Sequence, residues 1–189
     1  ELKTAGLIEQ GKVCFLINSR MERMLANSTG KMESISRIAS WEYASEREKL
    51  RMLILTDYVR KEARKALGEP EKEVGNMGVL PIFELLRRQG MDWKLGILCG
   101  SLLVFPDTVK EKFLEETALA APGLKPELKA LTDGSGEVLG YTEAAVQGKQ
   151  HIYIQVMTRL FERGEVQILI GTKSLLGEGW DSPCINSLI

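Results

Sequence analysis

The chain has 189 residues, 44% of them hydrophobic and 27% charged, and a net charge of −1. This balance suits one soluble globular domain and excludes a disordered tail or a protein wrapped in a global basic field. A local basic groove stays open, but no apolar run nears the ~20 residues of a membrane span, and no secretory leader is evident.

Cys14, Cys99 and Cys184 are far apart, odd in number and set among apolar residues. They read as reduced core thiols of a cytoplasmic protein. His151 has no second ligand nearby in sequence, so no metal site is expected. The chain opens on Glu1 and closes on an apolar stretch, 184–189, which reads as a segment cut from a longer protein.

The elements follow in chain order. Residues 1–50 form a lead-in whose second part, 31–50, repeats Met32, Ile35, Ile38, Ala39 and Tyr43 at helical spacing, with Asn27 and Ser28 as capping candidates. The apolar run 51–56 predicts a buried strand, and 57–67 a polar helix stopped by Gly68 and Pro70. A second amphipathic helix is expected at 77–90 and a second buried strand at 94–99. That strand breaks at Gly100-Ser101 and resumes over 102–105. Residues 107–120 suit a helix. Residues 121–150, rich in Pro, Gly and polar residues around Asp133-Gly-Ser-Gly136, predict a surface insertion with a strand near 137–142. A helix over 150–163, a strand over 166–170, a glycine-punctuated loop over 171–183 and a strand over 185–189 complete the chain.

Strands alternating with helices imply an α/β domain with a mostly parallel sheet covered on both faces. Ligands of such sheets bind at the carboxyl ends of strands, which directs attention to the loops after Thr56, Cys99 and Ile170.

The richest segment is Phe161-Glu-Arg-Gly-Glu-Val-Gln-Ile-Leu-Ile-Gly-Thr-Lys-Ser-Leu-Leu-Gly-Glu-Gly-Trp-Asp-Ser-Pro183, in which a helix ends at Gly164. A strand, a small residue with Thr, a short turn and Gly-x-Asp-x-Pro resemble motif V of superfamily-two helicases of the DEAD/DEAH type. The likeness is nearest to the excision-repair and restriction-enzyme branches. The spacing from Thr172 to Gly179 is one residue longer than in the DEAD-box form, which weakens the transfer of a phosphate role to Thr172. Arg51-Met-Leu-Ile-Leu-Thr-Asp-Tyr-Val-Arg60 resembles motif IV of the same family. Its helix carries Arg60, Lys61, Arg64 and Lys65, whose i, i+1, i+4, i+5 spacing makes a basic stripe that could track a phosphate backbone. A solvated helix face is the plainer alternative.

The resemblance implies the second, C-terminal RecA-like domain of an ATP-dependent helicase or translocase, spanning 1–189 and ending after motif V. It assigns Gly179 and Asp181 to ATP, and Thr56, Arg60, Ser101, Thr172 and Lys173 to nucleic acid. ATP and Mg²⁺ would be cofactors of the full-length enzyme, and a first RecA-like domain its partner. Nucleic acid, DNA favoured over RNA, would be the substrate track, and no membrane is involved. The sequence holds neither a complete phosphate-binding loop nor an Asp-Glu-x-x box, so no catalytic set is complete and the chain alone is expected to be inactive. Ser28-Thr-Gly-Lys31 lacks the leading glycine and following hydroxyl of such a loop. The alternative is a non-catalytic α/β interaction module in which 171–183 is merely a turn.

Overall fold

The computed structural model describes residues 8–9, 12–13, 29–69, 77–146, 148–176, 180 and 182–189. Two short strands, β1 (Ile8–Glu9) and β2 (Lys12–Val13), pair antiparallel with each other. Helix α1 (Thr29–Glu46) follows and tightens into a 3-10 turn over Arg47–Lys49. Its residues Ile35, Ala39 and Tyr43, spaced by one helical turn, are buried, as the sequence periodicity requires.

Seven further strands build one sheet: β3 (Met52–Thr56), β4 (Leu95–Cys99), β5 (Leu102–Pro106), β6 (Leu128–Thr132), β7 (Val138–Ala144), β8 (Ile168–Thr172) and β9 (Ser187–Leu188). Their spatial order is β6-β7-β5-β4-β8-β3-β9. The strands expected near 94–99, 166–170, 51–56 and 185–189 lie side by side in that order and run parallel. The expectation of a mostly parallel sheet holds for this half alone. β5, β7 and β6 add antiparallel to it, so the sheet is mixed.

The cause is the turn at Gly100-Ser101, where Cys99 pairs directly with Leu102. A two-residue connection can only return the chain antiparallel, because a parallel neighbour needs a long crossover. Segment 121–150 is also corrected. Its hairpin turns at Asp133, whose carboxylate accepts from the Ser135 N–H at 2.8 Å, the Ser135 hydroxyl at 2.7 Å and the Glu137 N–H at 2.9 Å. The arms β6 and β7 then extend the main sheet through β5, burying Leu131, Thr142 and Ala144. The polar composition reflects an edge strand with one wet face, not an excursion off the core.

Side chains alternate across the sheet at the strand period of two. Met52, Ile54, Leu95, Ile97, Ile168 and Ile170 pack beneath α1 and α2 (Val79–Arg88). Leu53, Leu98, Leu103, Phe105 and Leu169 pack on the other face with α3 (Lys110–Ala120) and α4 (Gln150–Glu162). The chain is therefore a three-layer α/β domain. Among the described residues, no helix is long and apolar enough to cross a membrane.

The polar helix expected over 57–67 is not α-helical. Arg60 adopts a left-handed conformation, φ 56°, and a 3-10 helix runs over Lys61–Ala66. The reason lies in α2. Its first N–H groups have no intrahelical acceptors, and the carbonyls of Tyr58 and Val59 accept from Val79 at 2.8 Å and Leu80 at 3.3 Å. With those carbonyls committed to α2, Tyr58 and Val59 cannot open an α-helix, and the chain coils only from Lys61, as a 3-10 helix. The basic stripe drawn for an α-helix is lost with it, since Arg60 lies before the 3-10 helix and three residues per turn set Lys65 on a different side from Lys61 and Arg64.

Candidate functional site

The carboxyl ends of β3, β4 and β8 form one rim. Register places Thr56 opposite Thr172 and Leu98 opposite Gly171. Thr56 and Thr172 are thus brought together, but both are buried, at 7% and 6% exposure. The Thr172 oxygen accepts from the Ser174 hydroxyl at 3.3 Å. Lys173 is exposed and begins the short helix α5 (Lys173–Leu176).

Gly171 explains the small residue before Thr172. A Cβ there would lie 2.4 Å from Leu176 Cδ1 and 2.8 Å from the Leu98 carbonyl oxygen. Only glycine lets α5 fold back onto the strand end while β4 stays in register.

Ser101 is exposed at the β4–β5 turn and lines a cleft of about 190 Å³ with Val59, Lys61, Arg64, Leu80 and Leu102. The cleft lies between the segment after β3, the first turn of α2 and the β4–β5 turn. Arg64 forms an ion pair with Glu143 of β7, whose Oε1 also lies 3.6 Å from Lys129 Nζ. Glu143 is the acid of this corner, and no sequence signal marks it, because it sits in a polar hairpin distant in the chain from Arg64.

Arg60 stands apart from the other basic residues. Its guanidinium lies 4.5 Å from the Tyr58 ring centroid, its Nε donates to the Met77 carbonyl at 3.3 Å and its Nη1 is 3.9 Å from Glu62. Tyr58 itself is 46% exposed. No sequence pattern had singled it out, since the motif drew attention to Thr56 and the bases that follow.

Gly179 and Asp181, the residues assigned to ATP, lie outside the described residues, as do Gly177 and Glu178. Their neighbours dock on α4. Trp180 Nε1 donates to Thr158 Oγ1 at 2.8 Å, and Ser182 Oγ donates to Glu162 Oε1 at 3.4 Å. Gly30 and Lys31, from the sequence that partly imitates a phosphate-binding loop, occupy the first turn of α1 beside a cavity of about 430 Å³ lined also by Ile35, Ile38, Met77 and Ile189. Among the described residues, no group of three or more His, Cys, Asp or Glu side chains is placed to hold a metal ion. No family model, curated protein or solved structure matches the chain.

Proposed function

We propose that this chain is the second RecA-like motor domain of an ATP-dependent nucleic-acid helicase or translocase, DNA being the favoured track. The observation that supports the reading most is the coincidence of pattern and place. The strands of the two segments resembling motifs IV and V run parallel and end side by side, Thr56 opposite Thr172; an exposed Lys173 follows the one, and Lys61 and Arg64, which line a cleft, follow the other. Strand ends of this kind are where open α/β sheets receive ligands. Basic side chains grip phosphate without reading sequence, and such binding weakens steeply with salt.

In this reading ATP and Mg²⁺ are held chiefly by a first RecA-like domain. Gly179 and Asp181 reach the nucleotide or an arginine across the cleft as the two domains close. Asp181 would accept one charge-assisted hydrogen bond in that closed state.

The test has two parts. The chain alone should bind single-stranded DNA in a salt-dependent manner and show no Mg²⁺-dependent ATP turnover. In the protein that joins it to the nucleotide-holding domain, Asp181→Ala should lower nucleic-acid-stimulated turnover about 10- to 100-fold, the loss of ~1.5–3 kcal/mol, without lowering the melting temperature. A lower melting temperature with unchanged turnover would make 179–183 a structural turn and favour the interaction-module reading. Turnover by the pure chain would overturn the domain assignment.

A further inference from the structure

We propose that Tyr58, capped on one side by Arg60, is a stacking platform for a base of a single-stranded nucleic acid passing over the strand-end rim. The inference rests on the nucleic-acid reading above and adds a contact to bases where that reading needs only phosphates.

Three observations converge on the ring. Tyr58 is 46% exposed two residues beyond the end of β3, so an aromatic surface stands in solvent at the rim. The Arg60 guanidinium sits 4.5 Å from its centroid and covers one face of the ring, with Glu62 3.9 Å from the guanidinium Nη1. The backbone is also sharply bent beside the ring. Arg60 holds φ 56° and ψ 61°, a conformation non-glycine residues seldom adopt.

The neighbouring chain is cut to fit that bend. A Cβ on Gly78 would lie 2.4 Å from Arg60 Cγ, and the Met77 carbonyl accepts from Arg60 Nε at 3.3 Å. The Tyr58 and Val59 carbonyls that cap α2 help to hold the bend, and what it presents to solvent is the Tyr58 ring with Arg60 on one side. Backbone outliers of this kind cluster at ligand clamps, and this one lies beside the strand-end rim.

The flanking residues suit a polynucleotide. Val59 and Lys61, on either side of Arg60, line the cleft together with Arg64 and Ser101. A base stacked on Tyr58 leaves its phosphates within the field of Arg60 and Lys61. Every base has a π-face, so the contact is tolerant of sequence, as a translocating strand requires.

The experiment uses the 189-residue chain and two fluorescein-labelled probes, an oligothymidylate of about a dozen nucleotides and an abasic strand of equal length. The chain should bind the oligothymidylate roughly 5- to 100-fold more tightly than the abasic strand. Tyr58→Ala should bind both strands equally, at the abasic level, while Tyr58→Phe keeps the preference. Circular dichroism of each variant confirms that it is folded, and Tyr58→Leu supplies a second aliphatic variant should the alanine form fail to fold. Equal binding of both probes by the unaltered chain overturns the platform but leaves the nucleic-acid reading standing. Binding of neither probe overturns that reading itself. Displacement of the oligothymidylate by an equal concentration of ATP would assign the ring to a free nucleotide and overturn the polynucleotide proposal.

Discussion

Gly171 is the residue on which the rim's packing turns. Its α-hydrogen faces Leu176 of α5, which is buried, and the Leu98 carbonyl of the neighbouring strand. Gly171→Ala introduces a methyl group 2.4 Å from the leucine and 2.8 Å from the carbonyl oxygen. The leucine end can rotate, but the carbonyl belongs to a central strand pair and cannot. Overpacking of this kind costs about 1–3 kcal/mol. For a domain of this size the melting temperature should fall by roughly 2–10 °C. Thermal unfolding followed by circular dichroism measures it, and an unchanged midpoint would mean that both neighbours yield freely. The same residue shows what a motif encodes. The motif shows a small residue before Thr172, and the structure gives the reason in the space taken by Leu176 and the Leu98 carbonyl.

At the scale of elements, the segment that carries Lys61 and Arg64 is held from beneath by α2. Glu84, 1% exposed, accepts from the Gly68 N–H at 3.0 Å, from Arg87 Nε at 2.8 Å and from Arg88 Nε at 2.8 Å. Arg88 in turn donates to the Ala66 carbonyl at 3.1 Å and the Glu69 carbonyl at 2.8 Å, tying the 3-10 helix end to α2. Burial pushes the Glu84 carboxyl up, but the Arg87 and Arg88 hydrogen bonds, the Arg87 charge and the Gly68 N–H outweigh it, and its pKa is held below the ordinary glutamate value. A depressed folded pKa means stability that is present above the unfolded value of about 4.3 and lost as pH falls through the folded one. Glu84→Gln should therefore be less stable than the parent by about 2–4 kcal/mol at neutral pH, with the gap closing in acid. Urea unfolding of both proteins between about pH 7 and about pH 3 tests this, and a constant gap would assign Glu84 to packing alone. None of this network was legible as a site. Glu84, Arg87 and Arg88 sit at i, i+3 and i+4, the spacing of an ordinary helix surface, and only the fold puts Gly68 against them. What was legible were the long apolar runs. β3, β4 and β8 fell within two residues of their expected ends because each is buried on both faces. The 3-10 segment was not legible, because its conformation is imposed by the caps α2 demands.

At the scale of the molecule, the open question is whether the antiparallel half is a graft or part of the cooperative unit, and the packing favours the second. Leu131 of β6, 1% exposed, lies in the core beneath α1 and α2, and Tyr141 of β7 meets Phe83 of α2 edge-on with ring centroids 4.9 Å apart. Ala144 of β7 joins the opposite core with Phe105 and Phe113. Thr142 donates to Asp107 at 2.6 Å, and Glu143 pairs with Arg64 beside the cleft. The hairpin therefore contributes to both layers and to the rim, and it cannot leave without opening each of them. Leu131→Ala removes a buried side chain and should cost about 2–5 kcal/mol of global stability. Native-state hydrogen exchange distinguishes the two arrangements, because amides that open only by global unfolding share one free energy. In the parent, the β7 amides bonded to β5 should be protected to the same extent as those of β4 and β8. In Leu131→Ala, protection should fall by the same amount in all three strands. A graft would behave otherwise: β7 would exchange faster than β4 in the parent, and the substitution would lower protection in β6 and β7 while leaving β4 and β8 unchanged. That second outcome would return 121–150 to the status of a surface excursion and detach Glu143 from any fixed role at the cleft.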